Sequence, residues 1–331
     1  MDNKFKVAII LPYFGKLPNY FQLWIKSAEM NKDFDFLIFT DNTNVYTCSE
    51  NIKWHICEFK DIVNKVQKFF DFKIILNRPY KLCDYKPMYG LIFSDYLKNY
   101  DWWGHCDSDL IFGNLSSKIT SEVLNLYEKI YQLGHLTLYK NNKKMNNLWR
   151  VILAKEAYSF KEAYRTRYPT HFDEQLGMTK IAIASNIKTY NNIDFADMRV
   201  DVPGFQRCWD VNSGHLPHIF SWNNGKLYGY YVDENKEITK KEYIYIHLQK
   251  RKMLINEYKN SDCKDMLIIP NAFINYEKEK INSNYIIYVN ESIKAEQNSS
   301  IKQIKIRFKN LLLGSLKNKY IRWKKEIVVP R

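Results

Sequence analysis

Two aspartates one residue apart, Asp107 and Asp109, are the residues of this 331-residue chain best placed to do chemistry. On an extended backbone, residues i and i+2 point to the same side, so both carboxylates would face one point. Hard oxygen donors of this kind suit Mg²⁺ or Mn²⁺ better than zinc. An ion held there could bind a diphosphate and neutralise the charge that builds on a departing phosphate. Because Asp and Ser are also common in turns, the motif needs support from the rest of the chain.

The segments that would position this pair form an alternating series of strands and helices. Short continuous apolar runs are typical of strands buried on both faces, and three- and four-residue apolar spacing is typical of amphipathic helices. The predicted elements are the strand Val7–Leu11, the helix Tyr20–Met30, the strands Phe36–Thr40 and Ile52–Phe59, and the helices Asp61–Phe70 and Leu91–Lys98. This alternation predicts an α/β fold with a largely parallel sheet, whose ligands bind beyond the carboxyl ends of the strands. Tyr13 and Asp41 follow the first two strands, so we expect them near one crevice.

Asp84 and Lys86 stand just ahead of the helix that leads into the aspartate pair. From there they could reach a ribose and a phosphate, although a solvated loop is an equally good interpretation. The elements predicted further on are a helix at Leu115–Leu133, a strand at Leu136–Tyr139, a flexible polar lid at Asn141–Asn147 and a helix at Ala154–Tyr164.

A third polar group places two acids beside an amide, as Asp173, Glu174 and Gln175, at the start of a predicted helix. Asp173 could cap this helix, and Glu174 could complement its dipole. A site near reacting groups is the alternative interpretation.

The last candidates lie on a predicted strand with alternating residues at 243–250, which delivers His247 at its end and Lys250 three residues later. A lone histidine at a strand end is often only a surface residue. Between the acids and this strand, the irregular stretch Asp194–His218 predicts a binding loop.

These features together resemble the GT-A glycosyltransferases. Their layout is most similar to the bacterial enzymes that extend lipopolysaccharide or capsule glycans from nucleotide-sugar donors. The resemblance rests on the opening strand–loop–helix, the strand that ends at Asp41, Lys86 ahead of a helix, and the apolar approach to the aspartate pair. It covers roughly residues 5–255 and implies a GT-A (Rossmann-like) domain with a mostly parallel central sheet flanked by helices. The segment Trp102–Cys106 departs from the family, whose members usually carry β-branched residues before the motif.

The resemblance implies roles for the polar residues already named. Asp107, Asp109 and His247 would hold Mn²⁺ or Mg²⁺. An acid or amide among Asp173, Glu174 and Gln175 would contact the acceptor or the reacting face of the donor sugar, and Glu174 is the first choice. With Asp84 as the ribose candidate, the residues expected to bind the nucleotide-sugar donor are Pro12, Tyr13, Phe14, Asp41, Asp84, Lys86, Asp107 and Lys250.

We therefore expect a metal-dependent glycosyltransferase that moves a sugar from a nucleotide-sugar donor, with UDP favoured by family habit, to a surface-glycan acceptor, free or lipid-linked. Two other classes stay open. A metal-dependent phosphoryl-transfer enzyme or hydrolase could use Asp107, Asp109 and His247, but it would usually need more carboxylates to hold two ions. A non-catalytic nucleic-acid-binding protein is suggested only by the net charge of +14.

Most of that charge lies at the C-terminal end. Residues 294–331 hold eleven Lys and Arg against two Glu, so the rest of the chain is only mildly basic and we expect no nucleic-acid partner. Within 301–325, apolar residues recur at helical spacing among the cations. This pattern predicts a basic amphipathic helix that binds an anionic membrane surface or docks on the domain. The predicted organisation is a GT-A domain at 1–255, a polar extension at 256–300 and this tail at 301–331.

The chain shows no signal-like segment and no apolar run near the roughly 18 residues of a membrane span. Its six cysteines are scattered without a C-x-x-C pair, which favours reduced thiols. We expect a cytoplasmic protein associated peripherally with the inner face of the cell membrane.

Overall fold

The computed structural model describes residues 5–44, 46–154, 156–255 and 265–298. The strands of this part are β1 (Val7–Pro12), β2 (Phe34–Thr40), β3 (Ile52–Ile56), β4 (Trp102–Cys106), β5 (Leu110–Phe112), β6 (Lys129–Leu133), β7 (Leu136–Lys140), β8 (Thr189–Tyr190), β9 (Ala196–Asp197), β10 (His218–Asn223), β11 (Lys226–Val232), β12 (Ile238–Tyr243), β13 (Tyr245–His247), β14 (Asp265–Ile269) and β15 (Ala272–Asn275). The α-helices are α1 (Phe21–Glu29), α2 (Phe59–Gln67), α3 (Tyr89–Ile92), α4 (Ser121–Leu126), α5 (Lys143–Asn146), α6 (Phe160–Tyr164), α7 (Lys180–Ala184) and α8 (Ser283–Asn298).

A seven-stranded sheet with the order β3-β2-β1-β4-β7-β6-β8 forms the centre of the molecule. The strands β3, β2, β1 and β4 are parallel, whereas β7 is antiparallel to both of its neighbours. This arrangement confirms the predicted fold class, an α/β protein with a mostly parallel central sheet flanked by helices. Because the first four strands are parallel, their carboxyl ends meet at one edge of the sheet.

Apolar side chains cover both faces of this sheet. Ile10 of β1 packs into one cluster with Tyr89 and Trp103, and Ile9 packs into a second cluster with Trp24 of α1. All five side chains are fully or almost fully buried. Strand β1 therefore has apolar residues on both sides, as its continuous apolar run predicted.

Two smaller sheets extend the molecule beyond the central sheet. The first is antiparallel, with the order β12-β11-β10-β14-β15, and its Phe220 and Trp222 are buried core residues. Because β14 pairs with β10, this sheet crosses the predicted domain boundary at residue 255. The second is the short sheet β5-β13-β9, which brings together three distant parts of the chain beside the aspartate pair.

Some predicted helices are wrong. The chain at Leu115–Leu133 forms a 3₁₀ turn and α4, but it then becomes β6, because pairing with β7 and β8 outweighs a helix propensity that is only a weak prior. The helix predicted at Ala154–Tyr164 is reduced to α6, which begins at a capping box formed by Ser159 and Glu162. The segment Leu91–Lys98 divides between the end of α3 and a 3₁₀ turn.

The predicted lid at Asn141–Asn147 is also wrong. The backbone N–H of Asn141 donates to the carbonyl of Asp101, at the amino end of β4 and therefore at the far edge of the sheet from the aspartate pair. Asn146 accepts a hydrogen bond from the Trp103 indole at 2.6 Å. The segment is an ordered support for the core, not a cover for the cleft.

The predicted amphipathic helix at 301–325 lies outside the described residues. Within the described ranges, no helix has both the length and the apolar character that crossing a membrane requires. The described cysteines, all of them free thiols as predicted, are Cys48, Cys57, Cys83, Cys106 and Cys208.

Candidate metal and nucleotide site

A cleft with a volume of about 760 Å³ lies at the carboxyl ends of β1 and β4, within the size range typical of ligand sites. The predicted site residues that line it are Pro12, Tyr13, Phe14, Lys86, Asp107, Asp109, Asp173, Glu174, His247 and Lys250. The predicted residues that do not line it are Asp41, Asp84 and Gln175. The fold thus brings most of the candidates into one place.

The aspartate pair lies in the turn between β4 and β5, and the protein holds one oxygen of each carboxylate. Lys86 Nζ donates to Asp107 Oδ1 at 2.7 Å, and the backbone N–H of Lys250 donates to Asp109 Oδ2 at 2.6 Å. The other two oxygens, Asp107 Oδ2 and Asp109 Oδ1, both face His247. The two carboxylates are therefore oriented toward one point, although they lie in a turn and not on the extended backbone that the prediction assumed.

His247 reaches the same point because β13 pairs with β5, which puts His247 opposite Leu110. Its Nε2 lies 3.4 Å from Asp109 Oδ1 and 4.0 Å from Asp107 Oδ2. Its Nδ1 is 2.8 Å from Asp197 Oδ1, on the neighbouring strand β9. A carboxylate on Nδ1 fixes the ring and leaves Nε2 to face a ligand.

These three side chains fit a divalent metal. Their candidate ligand atoms lie within 4.8 Å of one another, a spacing that one ion with bonds of about 2.1 Å can bridge. Two carboxylates and an imidazole suit Mn²⁺ at least as well as Mg²⁺. The remaining cleft volume leaves room for oxygens of a ligand to complete the coordination.

The charges in this cluster depend strongly on one another. Burial alone would raise the pKa of Asp109, but the charge and hydrogen bond of His247 hold this pKa at about 2. Burial alone would lower the pKa of His247, but Asp109 and Asp197 raise it to about 10. A positive charge is thus stabilised where the carboxylates converge, and a divalent cation could replace the imidazole proton there.

Asp197 belongs to this cluster although the sequence did not single it out. Besides His247, it accepts hydrogen bonds from the Gln249 amide at 2.7 Å and the Trp209 indole at 2.9 Å. Asp197 and Trp209 lie within the irregular stretch 194–218 that the sequence identified as a binding loop. The structure places part of that stretch at the cleft wall, but nothing in the sequence identified Asp197 as the partner of His247.

Lys250 adds a second cation to the cleft. Gln249 and Lys250 both have a left-handed backbone, with φ of 53° and 58°, and this turn aims the Lys250 N–H at Asp109. The ammonium lies 4.0 Å from the centre of the Tyr80 ring. Burial opposes the charge of Lys250, but the hydroxyl of Tyr80 and the charges of Asp107 and Asp109 raise its pKa above the usual value.

The loop after β1 and the acid after β2 lie at the same edge of the sheet as the metal cluster. Tyr13 lines the cleft, and Asp41 Oδ1 accepts the N–H of Gly15 at 2.8 Å. Gly15 has φ of 95°, which an L side chain rarely adopts. Asp41 therefore shapes the loop beside the cleft, and its direct contact with a nucleotide stays a prediction.

Asp84 has a different role from the predicted one. It is fully buried, it pairs with the equally buried Lys81, and it accepts backbone hydrogen bonds from Thr170 at 3.0 Å and Phe172 at 3.2 Å. Both oxygens are occupied, so the predicted contact with ribose is wrong. The carboxylate instead anchors the segment that leads to Asp173.

Asp173 and Glu174 line the cleft, whereas Gln175 is exposed outside it. Asp173 does not cap the following helical turn as the alternative interpretation expected, because the N-cap residue is Glu174, whose own side chain makes no capping bond. Glu174 Oε1 instead accepts the N–H of Gly134 at 3.3 Å. Asp173 lies 3.6 Å from Lys86 Nζ, and burial raises its pKa to about 7 although the nearby cation opposes this.

Gly134 provides a direct test of this packing. A Cβ atom at residue 134 would lie 2.4 Å from Asp173 Oδ2 and 2.7 Å from Glu174 Oε1, so Gly134→Ala must displace both acids. We expect the variant to fold and to lose about 10²-fold in turnover, because small displacements of reacting groups have effects of this size. The check is a rate measurement beside a thermal melt. The matched control is Gly204→Ala, whose Cβ would lie 2.8 Å from the Asn290 side-chain oxygen, in a place that does not line the cleft. Equal turnover in wild type and Gly134→Ala would contradict the prediction that Asp173 and Glu174 lie close to the reacting groups.

Comparisons with known proteins give a family and a set of distant structures. The profile of a family described as "Family of unknown function (DUF6625)" matches residues 9–277. A search of curated proteins gave no match. Similar solved structures include the galactosyltransferase LgtC in complex with donor and acceptor sugar analogues, with 12% identity, 58% of this chain and 75% of that chain covered, and a TM-score of 0.33. Another is mouse xyloside xylosyltransferase 1 in its apo form, with 7% identity, coverage of 59% and 88%, and a TM-score of 0.32. At this level of similarity the function has to be argued from the geometry of the site.

Proposed function

The chain belongs to the DUF6625 family, whose function is unknown, and from its site we propose that it is a metal-dependent glycosyltransferase. The donor is a nucleotide sugar, with a UDP-sugar as the first candidate. The acceptor is a bacterial surface glycan such as a lipopolysaccharide or capsule chain, free or lipid-linked.

The observation that carries this proposal is the convergence of Asp107, Asp109 and His247 on one point of the cleft, with the Lys250 ammonium beside them. A divalent ion and a fixed ammonium together stabilise the negative charge of a departing nucleoside diphosphate. The position at the carboxyl ends of parallel strands, next to the Tyr13 loop, supports a nucleotide as the ligand.

The chain's own residues would prepare this charge stabilisation before the substrate arrives. A divalent ion would supply Lewis acidity toward the diphosphate oxygens. Lys86 holds Asp107, and Asp197 holds His247, so neither metal ligand has to reorient on binding. Lys250, held against Tyr80 at the cleft wall, would meet the diphosphate as a second cation.

Glu174 is the proposed group nearest the reacting carbon, since it lines the same cleft and has one carboxylate oxygen held by Gly134. If the reaction inverts the sugar, Glu174 would take the proton of the acceptor hydroxyl. If the reaction retains the configuration, Glu174 would stabilise positive charge on the sugar ring.

Glu174→Gln is expected to lower sugar transfer about 10²-fold, because a neutral amide neither accepts a proton nor stabilises a cation. Donor affinity should change little, since the metal cluster is untouched. Gln175→Ala, at the exposed neighbour, is the matched control and should transfer normally. Near-normal transfer by Glu174→Gln would remove Glu174 from the reacting centre.

The experiment that tests the function is a donor screen. The protein is incubated with Mn²⁺ and a panel of UDP-, GDP- and CMP-sugars, and the released products are identified. We expect release of UDP from one UDP-sugar, its loss with EDTA and its recovery with added Mn²⁺. Release of inorganic phosphate would favour the phosphoryl-transfer or hydrolase alternative. Binding of oligonucleotides without any turnover would favour the nucleic-acid alternative.

The C-terminal tail is proposed to attach the enzyme to an anionic membrane surface. Residues 301–325 combine apolar positions at helical spacing with many Lys and Arg, and each cation near such a surface contributes about 1 kcal/mol. A chain that ends at Asn298 should fold, process a soluble acceptor, and lose salt-sensitive binding to vesicles that contain phosphatidylglycerol. Cosedimentation at two salt concentrations measures this. Unchanged vesicle binding, or an insoluble truncated chain, would make the tail a structural part of the domain.

A further inference from the structure

His135 is a buried imidazole that lines the cleft and has no role in the function proposed so far. It lies in the turn between β6 and β7 and is 4% exposed. Its Nε2 has no hydrogen-bond partner among the described residues, and the nearest carboxylate oxygen, Asp197 Oδ2, is 3.9 Å away. A buried polar atom without a partner at the wall of a ligand cleft is a candidate contact for the ligand.

The protonation of this ring is set by Tyr245. The Tyr245 hydroxyl is 2.8 Å from His135 Nδ1, and Tyr245 is fully buried. A buried hydroxyl hydrogen needs an acceptor, and Nδ1 is the acceptor that the structure provides. Nδ1 therefore accepts, so the neutral ring carries its hydrogen on Nε2 and presents an N–H donor to the cleft.

This tautomer separates His135 from the metal ligands. His135, Asp197 and His247 lie close enough together to suggest a second ion site. Metal binding needs a free lone pair, however, and Nε2 of His135 has none in this tautomer. Both oxygens of Asp197 already accept hydrogen bonds from His247, Gln249 and Trp209. Asp197 thus orients its neighbours and is not a ligand.

The turn that carries His135 connects the metal cluster to Glu174. The carbonyl of His135 accepts the N–H of Asp107 at 3.0 Å, and the preceding residue, Gly134, donates its N–H to Glu174. In the proposed reaction Asp107, Asp109 and His247 would hold the ion that binds the diphosphate, so the donor sugar would lie between these residues and Glu174. His135 is therefore at the level of the sugar.

A sugar hydroxyl fits this place better than a phosphate. The carboxylates of Asp107, Asp197 and Glu174 act on the imidazole against the cationic ring of His247, so they would repel an anion at Nε2. A hydroxyl can accept from Nε2–H and donate its own hydrogen to a neighbouring carboxylate. We propose that His135, held in its tautomer by Tyr245, donates from Nε2 to a hydroxyl of the transferred sugar and so selects the donor, an inference that rests on the proposed function.

The test separates the sugar from the rest of the donor. Isothermal titration in Mn²⁺ gives the Kd of UDP and of UDP-glucose, UDP-galactose, UDP-xylose and UDP-N-acetylglucosamine, and the ratio of the UDP Kd to each UDP-sugar Kd measures what the sugar contributes. For the sugar that wild type prefers, we expect His135→Leu to lower this ratio about tenfold, the size of one lost hydrogen bond. The affinities for UDP and for Mn²⁺ alone should stay within about twofold of wild type, because the metal ligands and Lys250 are unchanged.

Two further variants keep the test decisive if His135→Leu does not fold. His135→Gln keeps an N–H near the Nε2 position and should lose less than His135→Leu. Tyr245→Phe removes the hydroxyl that fixes the tautomer and should lower the same ratio by about threefold. Equal weakening of UDP and UDP-sugars, loss of Mn²⁺ affinity, or an unchanged ratio in all variants would overturn the inference. If wild type binds none of these nucleotides, the proposed function fails first.

Discussion

Asp109→Asn is expected to lower Mn²⁺ affinity by at least about 100-fold and turnover by about 10³-fold, while the fold stays intact. Asp109 Oδ1 is the carboxylate oxygen nearest His247 Nε2, at 3.4 Å, so its charge is central to the metal cluster. The amide keeps a carbonyl oxygen that can still accept the Lys250 N–H. The variant therefore removes an anionic ligand with little change of shape.

Titration of Mn²⁺ into the protein, followed by the electron paramagnetic resonance of the free ion, measures the affinity without any substrate. Asp95→Asn is the matched control, because Asp95 is a surface acid paired with Lys65 and remote from the cleft. The control should bind Mn²⁺ like wild type. If Asp109→Asn also binds Mn²⁺ like wild type and keeps its activity, the metal site is not formed by the aspartate pair.

Local sequence patterns predicted the parts of this site that depend on one segment at a time. The apolar run of β1 predicted a strand buried on both faces. The Asp-x-Asp motif predicted two neighbouring carboxylates, although they lie in a turn and not on the extended backbone assumed for them. The position of His247 at a strand end was also visible. In each case the relevant physical constraint acts within about ten residues, so the pattern survives in the sequence.

The parts that were missed depend on contacts between distant segments. Asp197 orients His247 because β9 and β13 pair, and the sequence does not show which strands pair. Gly134 is required because two acids from residues 173–174 pack against it, a constraint set about 40 residues away along the chain. His135 depends in the same way on Tyr245. Strand β6 was predicted as a helix because the segment has helical spacing, and only its neighbours in the sheet make it a strand.

Asp84 was assigned to the ribose contact from its sequence position, but the structure makes it half of a buried ion pair. Its substitution is expected to have the largest effect on the free energy of unfolding. In Asp84→Asn the ammonium of Lys81 would remain fully buried without a counter-charge. Breaking a buried ion pair by removing one partner typically lowers the free energy of unfolding by about 3–5 kcal/mol. The asparagine oxygen can still accept hydrogen bonds from Thr170 and Phe172, so the loss reports the unpaired charge of Lys81. Chemical denaturation measures it.

A double-mutant cycle with Lys81→Met shows whether the loss comes from the unpaired charge. Asp84→Asn leaves the Lys81 ammonium buried without a counter-charge, whereas the double variant removes that charge as well. The losses of unfolding free energy caused by the two single substitutions should therefore not add. We expect the loss of unfolding free energy in the double variant to be smaller, by at least about 2 kcal/mol, than the sum of the losses in the two single variants. This difference should remain although the carbonyls of Ala163 and Tyr168 lose their hydrogen bonds from Lys81. Additive losses would mean that the ion pair contributes little. An unchanged free energy of unfolding together with weaker UDP binding in Asp84→Asn would instead return Asp84 to the ribose contact. Because both oxygens of Asp84 are occupied within the protein, we expect the coupled loss of stability.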